Sequence, residues 1–217
     1  MLQYITSTTS KVPVAEQIKQ VIAGGGKWIQ IRMKGASDDE IRKVVDDVMP
    51  LCKEKEVFLI LNDNPELAKE LNVGGVHLGK KDMLPSKARL LLGPAAVIGT
   101  TANTFDDILA VRSLDVDYIG IGPFRDTRTK ENLAPILGLE GIKKLTSEMA
   151  AKDITLPTVA VGGIKLEDVE SLIMEGGVNG VAVCSAIADA DDITAETAKF
   201  VSLLNRLLPE EITKDLS

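Results

Sequence analysis

The residues that could do chemistry gather first around one loop. The run Tyr118-Ile-Gly-Ile-Gly-Pro123 is apolar and glycine-bearing, as suits a strand buried on both faces. It breaks at Pro123 into a polar, basic stretch carrying Thr127, Thr129 and Lys130. Two hydroxyls, a lysine and backbone amides beyond the end of a buried strand can bind an oxyanion.

Other groups of the same kind lie at regular intervals. Gln30, Arg32 and Lys34 alternate with Ile29, Ile31 and Met33, so the polar set shares one face with Trp28. Arg32, Lys34 and Lys130 could cradle a diphosphate, arginine through forked hydrogen bonds and lysine as a point charge. The bland reading is a surface edge with ordinary ion pairs. Asp63, which follows Asn62, and Asp82 suit Mg²⁺, which takes one or two carboxylates plus substrate phosphate oxygens and water. Taken singly, Asp63 could instead cap the next helix and Asp82 could sit in a solvated turn. Gly162-Gly163 and Val183-Cys184-Ser185 end two further apolar runs, and Thr101 ends another. His77 is the only histidine and sits in an apolar run, so we read it as a packing residue. Cys184 has no evident base partner and is not assigned as a nucleophile.

These groups must be positioned by the elements between them. Strand patterns fall at residues 2–7, 28–34, 57–61, 75–79, 97–101, 118–123, 158–163 and 180–185. Helical patterns follow at 13–23, from the capping box Ser37-Asp-Asp-Glu40 to Cys52, and at 66–71 and 85–92. The remaining helices run from the cap at Thr104 to Leu114, then at 139–151, 166–175 and 195–208, with residues 209–217 a tail. Regular alternation of strand and helix means parallel strands with right-handed crossovers. Eight such units predict an α/β protein, a (β/α)₈ TIM barrel in one compact domain over residues 1–217. An open doubly wound sheet is the runner-up. The barrel is preferred because polar residues stand at the carboxyl end of nearly every strand, where a barrel gathers them at one mouth.

The totals narrow the function classes. With 217 residues, 45% hydrophobic and only 3% aromatic, the chain can build one sizeable core, and that core should be aliphatic. No apolar run approaches the ~18 residues a membrane span needs, and two distant cysteines fit a reducing cytoplasm. A net charge of −7 argues against a nucleic-acid surface, although local cations can still hold phosphates. A homodimer is compatible with the sequence. Composition and spacing thus give a barrel with two anion sites, one of them metal-assisted, but no reaction.

The motifs add the reaction. Gln30-x-Arg-x-Lys34, Leu61-Asn-Asp63, His77-Leu-Gly-x-x-Asp82, Gly99-x-Thr-Ala, the run from Asp117 to Lys130 ending Thr-x-Thr-Lys, Gly162-Gly-Ile164 and Ser185-Ala-Ile187 occur in that order. Over residues 2–208 the chain resembles the thiamine phosphate synthase (thiamine phosphate pyrophosphorylase) family. The resemblance implies a transferase of thiamine biosynthesis. It would condense 4-amino-5-hydroxymethyl-2-methylpyrimidine diphosphate with a thiazole phosphate, with or without a carboxyl group, and release pyrophosphate with the help of Mg²⁺. By the same resemblance, Gln30, Arg32, Lys34 and Asn62 hold the pyrimidine diphosphate, and Thr101 and Lys130 also meet it. Asp63 and Asp82 hold Mg²⁺. Thr127, Arg128, Thr129, Gly163, Cys184 and Ser185 hold the thiazole phosphate. Arg32, Lys34, Thr101 and Lys130 are the expected catalytic set.

The chain departs from the family pattern at Met33, where the family often has Glu, and at Thr101 and Asn103, for the usual Ser and His. Arg125-Asp126 replaces an aromatic-Pro pair, and residues 125–132 form a candidate lid. The competing functions are a thiazole tautomerase-like isomerase on the same barrel and a non-catalytic barrel that binds phosphorylated metabolites. The paired aspartates and Lys130 argue against the first, and the paired aspartates against the second.

Overall fold

The computed structural model describes residues 1–126 and 135–208. Eight parallel strands close into a barrel in chain order: β1 Leu2–Ile5, β2 Trp28–Ile31, β3 Phe58–Asn62, β4 Gly75–Leu78, β5 Val97–Ala102, β6 Tyr118–Ile121, β7 Thr158–Val161 and β8 Gly180–Val183. Closure is explicit in the pairing of Leu2 with Val181 and of Tyr4 with Val183, which leaves no sheet edge and removes the open-sheet reading. Helices α1 Val14–Ala23, α2 Asp38–Glu54, α3 Pro65–Glu70, α4 Pro85–Leu92, α5 Phe105–Val111, α6 Gly138–Ala150, α7 Val169–Met174, α8 Ser185–Ala188 and α9 Ile193–Leu207 carry the crossovers.

Local sequence explains where the elements begin. Ser37 and Glu40 form a reciprocal capping box at α2, and Thr104 and Asp107 do the same at α5. Asn64, not Asp63, caps α3, accepting the Leu67 N–H at 3.0 Å, with Pro65 as first helical residue.

Every strand ends one to three residues from the sequence reading, β2 by the most. β2 stops at Ile31, because the Arg32 N–H turns to the Thr6 hydroxyl at 2.8 Å instead of a ladder carbonyl. Arg32 and Lys34 therefore stand beyond the strand rather than on it. The four-residue α8 was not anticipated; it is too short to show a helical period.

The core has two compartments. Between strands and helices lie fully buried Ile29, Val76, Ile98, Ile119 and Val181, a shell that is mainly aliphatic. Inside the barrel a second cluster gathers Ile60, Tyr118, Val159 and Ala182, with Trp28 and Phe58 against it. Trp28 and Tyr118 meet edge to face with centroids 4.8 Å apart. Aromatic residues serve both compartments, Trp28, Phe58 and Tyr118 inside the barrel and the fully buried Tyr4 and Phe200 outside it, a correction to the purely aliphatic core.

Candidate active site at the carboxyl ends of the strands

Asp63 leaves β3 in the left-handed region, with φ of 63°, and its N–H donates to the His77 carbonyl at 2.9 Å. That turn is not a helix cap, so the capping role does not account for it. Asp82 accepts the Gly79 N–H at 2.6 Å, as a turn residue would, and its carboxyl also meets that of Asp63. Burial pushes the Asp63 carboxyl up to about 6, reinforced by the hydrogen bond and the charge of Asp82. The Lys34 and Arg32 cations pull the other way. The Asp63 and Asp82 carboxyls thus meet beside two cations, and it is burial and their mutual repulsion that disfavour the charge on Asp63. Among the described residues no group of three or more His, Cys, Asp and Glu gathers, so a metal here would take its other ligands from substrate and water.

Beside Asp63 the chain forms a cavity of about 310 Å³, lined by Lys34, Asn62 and Asp63 with Met33 and Ala36. Gln30, buried inside the barrel, donates to the Asn62 side chain at 2.6 Å, while its own carbonyl oxygen is buried without a partner among the described residues. Such an acceptor calls for a bound donor. One strand further, the His77 ring touches the Thr101 hydroxyl at 2.9 Å through Nε2 and the Tyr118 hydroxyl at 2.8 Å through Nδ1. Tyr118 in turn accepts from the buried Gln3 amide at 2.9 Å. His77 is inside the barrel as expected, but it links polar groups there instead of merely packing.

Across the mouth, Gly162 and Gly163 follow β7 with φ of 105° and 64°, a double left-handed turn that side chains resist. Arg125 holds this turn. Its N–H donates to the Gly162 carbonyl at 3.0 Å, and its guanidinium donates to the Gly163 carbonyl at 2.7 Å. The same guanidinium takes Asp168 bidentately, both contacts at 2.8 Å, and stands over the Phe124 ring. Cys184 follows β8, its thiol 3.9 Å from the Thr6 carbonyl, and Ser185 opens α8. Burial pushes the Cys184 thiol up to about 11, partly opposed by Arg32, in keeping with a thiol that is no nucleophile. Asn103 donates to the Gly122 carbonyl, which commits its side chain to the backbone. Thr127, Arg128, Thr129 and Lys130 lie outside the described residues, as does all of the candidate lid after Asp126.

The family model described as thiamine monophosphate synthase matches residues 2–187. The chain belongs to this family. The thiamine-phosphate synthase of Bacteroides thetaiotaomicron is 50% identical over 202 residues, covering 93% of this chain and 96% of that protein. The thiamine-phosphate synthase of Flavobacterium psychrophilum is 40% identical over 191 residues, covering 88% and 92%. The thiamine phosphate pyrophosphorylase from Pyrococcus furiosus superposes with a TM-score of 0.84 at 27% identity, over 96% of each chain. The expected family, the barrel and a transferase of thiamine biosynthesis all hold.

A larger cavity, about 510 Å³, opens at the opposite end of the barrel, lined mainly by apolar side chains such as Leu2, Phe58, Val97 and Leu204. Barrels build their active sites at the carboxyl ends of the strands, so volume alone does not make this the site. Sequence reasoning passed over Tyr118, His77 and the Arg125–Asp168 clamp. A signal for the first two was present: Gly99 and Gly120 interrupt strands, and glycine inside a strand often marks a close approach. A Cβ on Gly99 would meet the Tyr118 ring at 2.0 Å, and one on Gly120 would meet His77 at 3.1 Å.

Proposed function

We propose that the mouth binds the pyrimidine diphosphate over β2 to β5 and the thiazole phosphate over β6 to β8, and joins them by dissociative substitution. The carbon–oxygen bond of the pyrimidine methylene breaks, its electron pair leaves with pyrophosphate, and the thiazole nitrogen captures the resulting cation. With a carboxylated thiazole, CO₂ leaves as well. Such a reaction needs charge neutralisation on the leaving group more than a strong base, which fits a mouth with cations and, among the described residues, no activated nucleophile.

Each residue then has a task. Arg32 and Lys34 neutralise the diphosphate, Asn62 and Gln30 orient it, and Thr101 donates to it, with Lys130 completing the set. Asp63 and Asp82 would hold Mg²⁺, which would supply positive charge to the leaving pyrophosphate. Gly163, Cys184 and Ser185, with Thr127, Arg128 and Thr129, receive the thiazole phosphate. The observation that carries this reading is the contact of Asp63 with Asp82 beside Lys34 and Arg32: a carboxylate pair of this kind serves a metal–diphosphate complex and has no use in simple phosphate binding. The tautomerase reading loses its natural acid–base position, since Asn103 is tied to the Gly122 carbonyl. We place the enzyme in the cytoplasm.

The test is to mix purified protein with both substrates and Mg²⁺. Thiamine phosphate and pyrophosphate should appear in equal amounts. Thiazole tautomerisation without that product would overturn the reading.

A further inference from the structure

A file of hydrogen bonds runs inside the barrel from Gln3 to Thr101, and its polarity can be read from one end. The Gln3 amide nitrogen only donates, and it points at the Tyr118 oxygen. Tyr118 is buried, and burial holds its phenol far above the usual range, so it keeps its proton. Having accepted from Gln3, it has one hydrogen to give, and the acceptor in reach is His77 Nδ1 at 2.8 Å. A neutral imidazole that accepts at Nδ1 carries its hydrogen on Nε2. That hydrogen then points at Thr101 Oγ1, 2.9 Å away. Thr101, having accepted, keeps its own hydrogen for an acceptor other than His77.

We propose that His77 is a positioning residue: Gln3 and Tyr118 fix it as the Nε2–H tautomer, and it turns the Thr101 hydroxyl into a donor toward the mouth. The ligand that such a donor suits is an anionic oxygen, here the diphosphate of the first substrate, so the inference rests on the placement of that substrate given above. The arrangement is built into the strands. Gly99 leaves room for the Tyr118 ring, and Gly120 for the His77 ring. The register sets His77 beside Gly99, and Thr101 beside Gly120. Were the Gln3 amide turned the other way, every hydrogen in the file would reverse and Thr101 would spend its own on His77.

His77 is the only histidine, so its two ring nitrogens can be read without assignment in ¹⁵N-labelled protein. The ligand-free protein should show a protonated Nε2 and an unprotonated Nδ1. Tyr118→Phe removes the donor to Nδ1; its spectrum should shift toward a mixture of tautomers. Its kcat/KM for the pyrimidine diphosphate should fall roughly tenfold, the size of one well-placed hydrogen bond to a charged group, with KM for the thiazole phosphate unchanged. Thr101→Val should show the same loss, and the double variant no further loss. The Nδ1–H tautomer in the resting protein overturns the proposal whatever the kinetics, and so does Tyr118→Phe with wild-type tautomer and rate. Thr101→Val with unaltered diphosphate kinetics would break the link from Thr101 to that substrate, while the tautomer result would still stand or fall on its own.

Discussion

Asp63→Asn should make the metal-free protein more stable and the magnesium-loaded protein comparatively less so. In the folded chain, burial and Asp82 raise the Asp63 carboxyl from its ordinary 3.8 to about 6. Above about pH 6 the group is ionised in both states, and folding carries the cost of its charge. A rise of that size corresponds to about 3 kcal/mol. Asp63 is only partly buried, so solvent screening reduces this to about 1 kcal/mol. Asparagine tolerates the left-handed backbone at this position and removes the charge. In a domain of this size, the gain should raise the melting temperature by about 2–4 °C at pH 7.5 in chelator. The sign is fixed by linkage. Between about 4 and 6 the folded state binds more protons than the unfolded one, so stability falls as pH rises through that window. The advantage of the variant should therefore fade as pH drops through the window and be gone by about pH 4. Magnesium reverses the order. At a hundred times its dissociation constant, a ligand of the folded state adds about 2.7 kcal/mol, which the variant should not gain. Scanning calorimetry with and without Mg²⁺ reads both effects. A variant less stable than wild type in chelator, or equally stabilised by magnesium, would refute the reasoning.

Two further substitutions test the other parts of the mouth. Arg125→Ala removes the bidentate contact to the mostly buried Asp168 and the bond to the Gly163 carbonyl. It should cost about 1–3 kcal/mol in a denaturant titration and raise KM for the thiazole phosphate more than for the pyrimidine diphosphate. Gly99→Ala drives a methyl group into the Tyr118 ring. It should cost about 1–3 kcal/mol by overpacking, and equal denaturation midpoints for variant and wild type would contradict the packing described for the barrel interior.

The barrel was readable because the strands are mostly apolar runs ended by polar residues and followed by helical stretches, two of them opened by capping boxes at Ser37 and Thr104. Asp63 and Asp82 were readable as a pair only through their shared place at strand ends. Residues spaced like a turn and a cap give no other sign, and the contact between them is tertiary. The polar alternation of Trp28, Gln30, Arg32 and Lys34 was read as a strand three residues too long, since the bond that ends β2 comes from Thr6, far away in sequence. His77 looked inert for the same reason: its two partners come from different strands. Arg125-Asp126 stood out as a departure, yet what Arg125 does depends on Asp168 beyond β7, which no local pattern reveals.

The division of the mouth into a metal-assisted diphosphate subsite and a metal-independent phosphate subsite is tested most directly by calorimetric titration of the wild-type protein. Pyrophosphate and the thiazole phosphate would each be titrated with and without Mg²⁺. The account predicts that magnesium tightens pyrophosphate at least about tenfold, about 1.4 kcal/mol, and leaves the thiazole phosphate unchanged. Equal responses of the two ligands to magnesium would contradict it.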